Sequence, residues 1–219
     1  MKFERVFAWS DQHIHGFDHK KDKIAKEILA DRLRWCDAAV VVGDHWERHA
    51  MPYEQLSKSP WAEDFSLMRS KLFKLVGNHD PKEHYEDIPP FWLNISNKLR
   101  FISGGVPYVM VHGHEFDSAS YLDKLLTHRV QKLMPHIKRL ERYMLGEGTE
   151  KGRLAQWYKS WNDEQKIKFA RLKTLPREWG VAAHTHMGEI DYATRYINTG
   201  QFPYTFLEII RGEPILRKA

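Results

Sequence analysis

The chain has a single cysteine, Cys36, in 219 residues. No internal disulfide can form, and metal sites built from cysteine clusters are excluded. No stretch approaches the roughly 20 apolar residues that a membrane span needs. The opening Met1-Lys2-Phe3-Glu4-Arg5 lacks the apolar run of a signal peptide, so a cytoplasmic location is expected. Internal repeats and low-complexity linkers are also absent. What remains, 42% hydrophobic and 29% charged, is enough apolar mass for the core of one domain, with room for an insertion.

Acidic residues are scarce in one region. Residues 118–180 hold 14 Lys and Arg against 7 Asp and Glu, while the rest of the chain holds 20 against 22. The excess positive charge of the whole chain, +5, therefore resides in that segment. Such a run is either a solvated helical face or a patch for an anionic partner: a phosphate, a nucleic acid or a lipid head group.

Hydrophobic periodicity orders the chain. Residues 3–9 read as a strand, 20–35 as a helix with Ile24, Ile28, Leu29 and Leu33 on one face, and Ala38 to Val42 as a buried strand. Residues 54–72 are partly helical, and 73–76 form another strand. This alternation predicts a parallel, layered α/β sheet. Strands are then expected at 99–103, 106–111, 181–184, 196–198 and 205–210, forming a second sheet packed on the first. Between them, residues 118–180 read as an inserted helical hairpin. Its first half carries a stripe of Leu122, Leu126, Val130, Leu133, Ile137, Leu140 and Met144. Its second half, 153–175, carries Trp157, Trp161, Ile167 and Phe169. The hairpin either packs on the parent domain or serves as a lid, an acyl-chain cleft or a dimer contact.

Five polar clusters sit at the ends of the expected strands. They are Asp11-Gln12-His13, Gly43-Asp44-His45-Trp46-Glu47, Gly77-Asn78-His79-Asp80, His112-Gly113-His114 and His184-Thr185-His186. In an extended chain, Asp11 and His13 would point the same way, and so would His184 and His186. Asp44 is placed to bridge two cations, whose mutual repulsion requires a shared anion. Asn78 adds a neutral oxygen and His112 another imidazole. The seven candidate ligands are thus Asp11, His13, Asp44, Asn78, His112, His184 and His186. A set of nitrogen and oxygen donors without thiolate suits two divalent metal ions, Mn²⁺ foremost, with Fe, Zn²⁺ or Mg²⁺ as alternatives. His79 is the candidate catalytic acid at the leaving group, with Asp80 orienting it. His15, His45 and His114 flank the ligands, facing substrate, supporting the ligands from behind, or as exposed bystanders.

The ordered set resembles the calcineurin-like metallophosphoesterase superfamily. The resemblance spans nearly the whole chain outside 118–180. It implies a four-layer α-β-β-α sandwich with a dinuclear centre above the strand ends. One metal would take Asp11, His13, Asp44 and His186; the other would take Asp44, Asn78, His112 and His184. His79 would be the catalytic histidine. Glu47 stands where the family usually has Asp, and Ala183 where it usually has Gly. The run from His112 to Asp117, the basic insertion and Tyr196-Ile197-Asn198-Thr199-Gly200 are similar to the UDP-2,3-diacylglucosamine diphosphatase branch, where the insertion forms a lid over a lipid-linked substrate.

The expected activity is hydrolysis of a phosphodiester or pyrophosphate bond in a phosphate-containing substrate. A nuclease acting on DNA or RNA is the alternative within that class, supported by the basic insertion and its tryptophans. A non-catalytic, metal-stabilised interaction module is the alternative outside it. Members of that kind lose ligands, and this chain keeps all seven. Peripheral contact with anionic surfaces through the insertion is a further expectation.

Overall fold

The computed structural model describes residues 1–13, 19–45, 69–78, 80, 94–116 and 155–219. His15, Glu47, His79 and the apolar stripe from Leu122 to Met144 lie outside these residues.

The order is β1 (Arg5–Trp9), α1 (His19–Trp35), β2 (Ala38–Val42), β3 (Leu72–Leu75), β4 (Asn94–Ser96), β5 (Lys98–Ser103), β6 (Val106–Val111), α2 (Ala155–Ala170), β7 (Trp179–Ala182), β8 (Glu189–Asp191), β9 (Tyr196–Asn198), β10 (Thr205–Ile210) and β11 (Glu213–Lys218). One sheet has the order β11-β10-β1-β2-β3-β4, the other β5-β6-β7-β9-β8. In the first, β1, β2, β3 and β4 run parallel, and β10 closes antiparallel onto β1. In the second, β6, β7 and β9 run parallel.

The layering follows from side-chain alternation along the strands. In β1, Phe7 and Trp9 face α1 and pack with Ala25, Leu29 and Leu33. Val6 and Ala8 face the other way. With Val40, Val42 and Leu75 they meet Tyr108, Met110, Val181 and Ile197 of the second sheet. On that sheet's outer face, Val109, Val111, Ala182 and Tyr196 pack against Phe169 of α2. The layers are therefore α1, sheet, sheet and α2, the expected α-β-β-α sandwich. Each fully buried Phe, Leu or Val contributes about 1.5–3 kcal/mol by leaving water.

Several element boundaries differ from the sequence-based expectation. β7 starts at Trp179 and ends at Ala182, two residues ahead of the expected strand, so Trp179 and Gly180 of the basic segment are in the sheet. β4, β8 and β11 were not anticipated. The first two are three residues long, and β8 carries Glu189 and Asp191 around a single Ile, too short for alternation to register. Ile167, read as part of an apolar helix face, is exposed.

Candidate metal centre

Parallel strands place their C-terminal ends side by side. β1, β2 and β3 lead into Asp11, Asp44 and Asn78; β6 and β7 lead into His112 and His184. Two groups of ligand atoms form there, each with its atoms within 4.8 Å of one another: Asp11, His13 and His186, and Asp44, His112 and His184. Asn78 joins the second through its Oδ1, 3.2 Å from His112 Nε2. The groups touch, since the His184 amide donates to Asp11 Oδ2 at 3.2 Å.

The route by which these side chains converge corrects the sequence reading. The Asp-x-His and His-x-His pairs are not extended. Asp11, His13, Asp44, His184 and His186 all have left-handed backbone, with φ of 52°, 49°, 49°, 69° and 58°. They are five of the eight non-glycine residues with positive φ among those described. Each costs of order 1–3 kcal/mol, and such strain concentrates where function holds it in place. Backbone bonds from Asp11 N to the Gly43 carbonyl (3.3 Å) and from His13 N to the Asp44 carbonyl (3.1 Å) carry the β1–β2 pairing into the loops.

Two glycines are required by contact. A Cβ on Gly43 would run into the His112 ring, and one on Gly77 into the Asp44 carboxylate and amide. Gly43 also has φ of +86°, which a side chain would disfavour.

Asp80 is completely buried. It accepts hydrogen bonds from the amides of Asp44 (3.0 Å), His45 (3.2 Å) and Gly77 (2.9 Å), and from Lys74 Nζ at 2.7 Å. It thereby binds the loop after β2 to the loop after β3. Lys74, in the middle of buried β3, is a site residue that the sequence reading missed; its signal is a lone cation between Phe73 and Leu75. Burial lowers the Lys74 pKa, with Asp80 opposing. Burial, then the charge of Lys74, pushes His45 well below the ordinary histidine value. His45 is fully buried, so it neither faces solvent nor lines an open face.

On the other sheet a polar network does the corresponding work. Asn162, Gln165, Thr185 and Asn198 are all buried. Asn162 Oδ1 on α2 accepts from Thr185 Oγ1 (3.0 Å) and Asn198 Nδ2 (2.9 Å), and its amide donates to Glu189 at 2.6 Å. Asn198 Nδ2 also donates to the Ala183 carbonyl at 3.1 Å, and the Tyr196 hydroxyl donates to Gln165 Oε1 at 2.6 Å. Thr185 is thus gripped between its two neighbouring histidines. The Trp161 ring stands edge-on to His184, centroids 4.9 Å apart. Ser10 Oγ meets Thr199 at 2.6 Å and the Gly200 carbonyl at 2.8 Å, so the segment from Asn198 to Gly200 joins both sheets at the centre. Asn162 and Gln165 carry no signal that separates them from ordinary exposed helix residues.

The electrostatics suit cations. His112 Nδ1–H donates to the Val42 carbonyl at 2.8 Å, which turns Nε2 towards Asp44 Oδ2 at 3.2 Å. Burial opposes a charge on His112, but Asp44 and then Asp11 overcome it and push the pKa up to about 10. Burial likewise opposes the Asp11 carboxylate, yet His186, 3.2 Å away, and His112 hold it well below the usual carboxylate range. Among the described residues, buried Asp11 Oδ1 has only this His186 contact. The centre thus stabilises positive charge at the imidazole nitrogens, where a divalent cation would replace a proton. His114 lies at its margin, 5.4 Å from the His112 ring.

No model of a known protein family matches the chain, and no curated protein matches it. Among solved structures it superposes on Yfce, a phosphoesterase from E. coli, with a TM-score of 0.51, 14% identity, and coverage of 93% of this chain and 87% of that one. The chain shares the fold of that phosphoesterase. Weaker likenesses are to vacuolar protein sorting 29 from Cryptosporidium parvum (TM-score 0.48, 11% identity, 99% and 97% covered) and to an archaeal phosphodiesterase (TM-score 0.47, 14% identity, 98% and 99% covered). At this identity the likeness is one of fold. Among the described residues, no helix is long and apolar enough to cross a membrane.

Proposed function

We propose that the chain is a metal-dependent phosphoesterase that hydrolyses a phosphodiester or pyrophosphate bond. The observation that carries this is the pair of touching ligand groups, each combining a buried carboxylate with two imidazoles at the strand ends. Asp11, His13, Asp44 and His186 would hold one divalent ion; Asp44, Asn78, His112 and His184 would hold the other, Asp44 being shared. When bound, the ions supply a hydroxide nucleophile near neutral pH and stabilise charge on the phosphoryl oxygens. Mn²⁺ is the first candidate, the donors being equally compatible with Fe, Zn²⁺ and Mg²⁺.

The chain's own residues do the rest. Asp44 and Asp11 set the negative field. The Val42 carbonyl orients His112, and Asn78 turns a neutral oxygen onto the same point. The partial exposure of Asn78, His184 and His186 leaves that side for substrate. His79 is the proposed general acid for the leaving oxygen. Asp80 serves it by fixing the loops on either side, a positioning role. The fold shared with a phosphoesterase supports this reading. Within it the substrate is a small phosphodiester or nucleotide-sugar pyrophosphate, or alternatively a nucleic acid. Loss of affinity as salt rises would mark the latter.

Asp44→Asn and His112→Ala test the proposal. Both are expected to lower turnover of bis-p-nitrophenyl phosphate by about 100-fold or more while the fold persists by circular dichroism. Unchanged turnover in either variant would overturn it.

A further inference from the structure

A cavity of about 470 Å³ opens at the end of the second sheet opposite the metal centre. It lies between the β5–β6 turn, the segment before β7 and the turn joining β8 to β9. Residues at the starts of β6 and β7 line it, whereas His112 and His184 follow the ends of those strands. The six residues of β6 separate the two places by about 20 Å.

Its lining pairs two cations with two aromatic rings. Arg177 and Arg195 are on the wall, with Trp179 and Tyr192 beside them. The Trp179 and Tyr192 rings meet edge to face, 5.5 Å apart at 87°. Tyr192 is 64% exposed, so one face of its ring is open to a ligand. Among the described residues, neither guanidinium makes an ion pair or hydrogen bond. The neighbouring carboxylates are engaged elsewhere: Glu178 holds Arg100 at 2.6 Å, and Asp191 holds Lys166 at 3.3 Å and the amides of Ala193 and Thr194. Lys173 adds a third positive charge as it donates to the Thr194 and Arg195 carbonyls.

The backbone adds an independent observation. Arg177 and Arg195 have φ of 63° and 52°. Glycine or asparagine adopts such a conformation more cheaply, so the fold alone would not select arginine at either position. The space is open, since a Cβ on Gly105 would meet no atom within 4 Å.

We infer that this cavity is a second, metal-independent site for a mononucleotide-like anion. The aromatic base stacks on the exposed Tyr192 ring, which Trp179 holds edge to face, and the phosphate lies between Arg177 and Arg195. Guanidinium forks match phosphate oxygens, and a tyrosine face stacks on a base. The volume is that of a small-molecule site. The inference does not depend on the phosphoesterase reading.

The test is calorimetric titration of the full chain, in EDTA, with AMP and with UMP. Inorganic phosphate and adenosine are the separate halves. The chelator removes the metal centre as a phosphate sink. Saturable 1:1 binding of a mononucleotide is expected, at least tenfold tighter than either half alone. The double variant Arg177→Asn/Arg195→Asn suits the left-handed backbone. It should keep or raise the melting temperature and weaken binding at least tenfold. Gly105→Asn, which fills the space and leaves both arginines, should weaken binding similarly. No saturable binding by either nucleotide, equal affinity for phosphate alone, or binding undiminished in both variants would each overturn the inference.

Discussion

The loops of the two sheets perform one task by different means. The first sheet's loops present Asp11, Asp44 and Asn78; the second's present His112, His184 and His186. The first set is fixed by close approach and main-chain bonds. Gly43 and Gly77 admit the neighbouring ligands, and Asp80 gathers three amides and Lys74. The second set is fixed largely from outside the sheet, by side chains of α2 that reach Thr185 and Asn198. A candidate metal centre at strand ends therefore needs no single scaffold. One half is built into the turns, whereas the other depends on a helix arriving from the basic segment. The helix that the sequence allows as a lid is, over Ala155–Ala170, the outer layer that holds the histidine loop.

The contrast can be broken from the first side with the largest effect. Asp80→Ala would leave Lys74 charged and buried without its partner. It is expected to cost about 3–5 kcal/mol in denaturant unfolding. Adding Lys74→Met should recover much of that loss, because no charge is then stranded. Equal stability of Asp80→Ala and wild type would remove Asp80 from its role.

Gly77→Ala and Gly43→Ala come next. The added methyl displaces Asp44 or His112, so turnover should fall by about 100-fold and metal content by one ion or more. Metal analysis and steady-state assay check both, and retained stoichiometry would contradict the packing.

From the second side, Asn162→Ala removes the acceptor of Thr185 and Asn198. A loss of about 1–3 kcal/mol in stability is expected. Metal affinity should weaken by about tenfold, with turnover recovering at saturating metal. A purely structural helix would lose the stability and leave metal affinity alone.

The smallest effect lies away from both loop sets. Cys36 is buried under α1, and burial pushes its pKa up to about 11. A pKa raised in the folded state leaves stability whole below about pH 9. Stability is then lost as the pH climbs towards 11. Cys36→Ala should match wild-type turnover within twofold at pH 7.5 and should show a smaller fall in melting temperature between pH 9 and 11, the rest belonging to buried Tyr108 and Tyr196.

The same division explains what could be read from the sequence. Strands β1, β2 and β6 are apolar runs that end in a ligand, so strand and site are legible together. Their alternation with helices predicts a parallel, layered α/β sheet, whereas the four-layer order is what the family resemblance implies. The conformation of the ligand loops was not legible. Two residues apart suggests an extended pair, and only the structure shows left-handed backbone at Asp11, His13, His184 and His186. Nor were Asn162 and Gln165 legible, because a polar residue on a helix normally faces water. Their burial depends on where α2 docks, which no local pattern encodes. Lys74 stood between these cases, visible as an anomaly in a buried strand but without an assigned partner.

Two cations driving phosphoester hydrolysis are tested most directly by titrating metal-stripped protein with Mn²⁺. Bound metal and hydrolysis of bis-p-nitrophenyl phosphate are followed in the same samples, with a phosphomonoester, UDP-sugars and single-stranded DNA as parallel substrates. The predicted result is two ions per chain, with turnover of at least one substrate rising as the second site fills. Two tightly bound ions with no turnover across the panel, or turnover independent of metal, would contradict it.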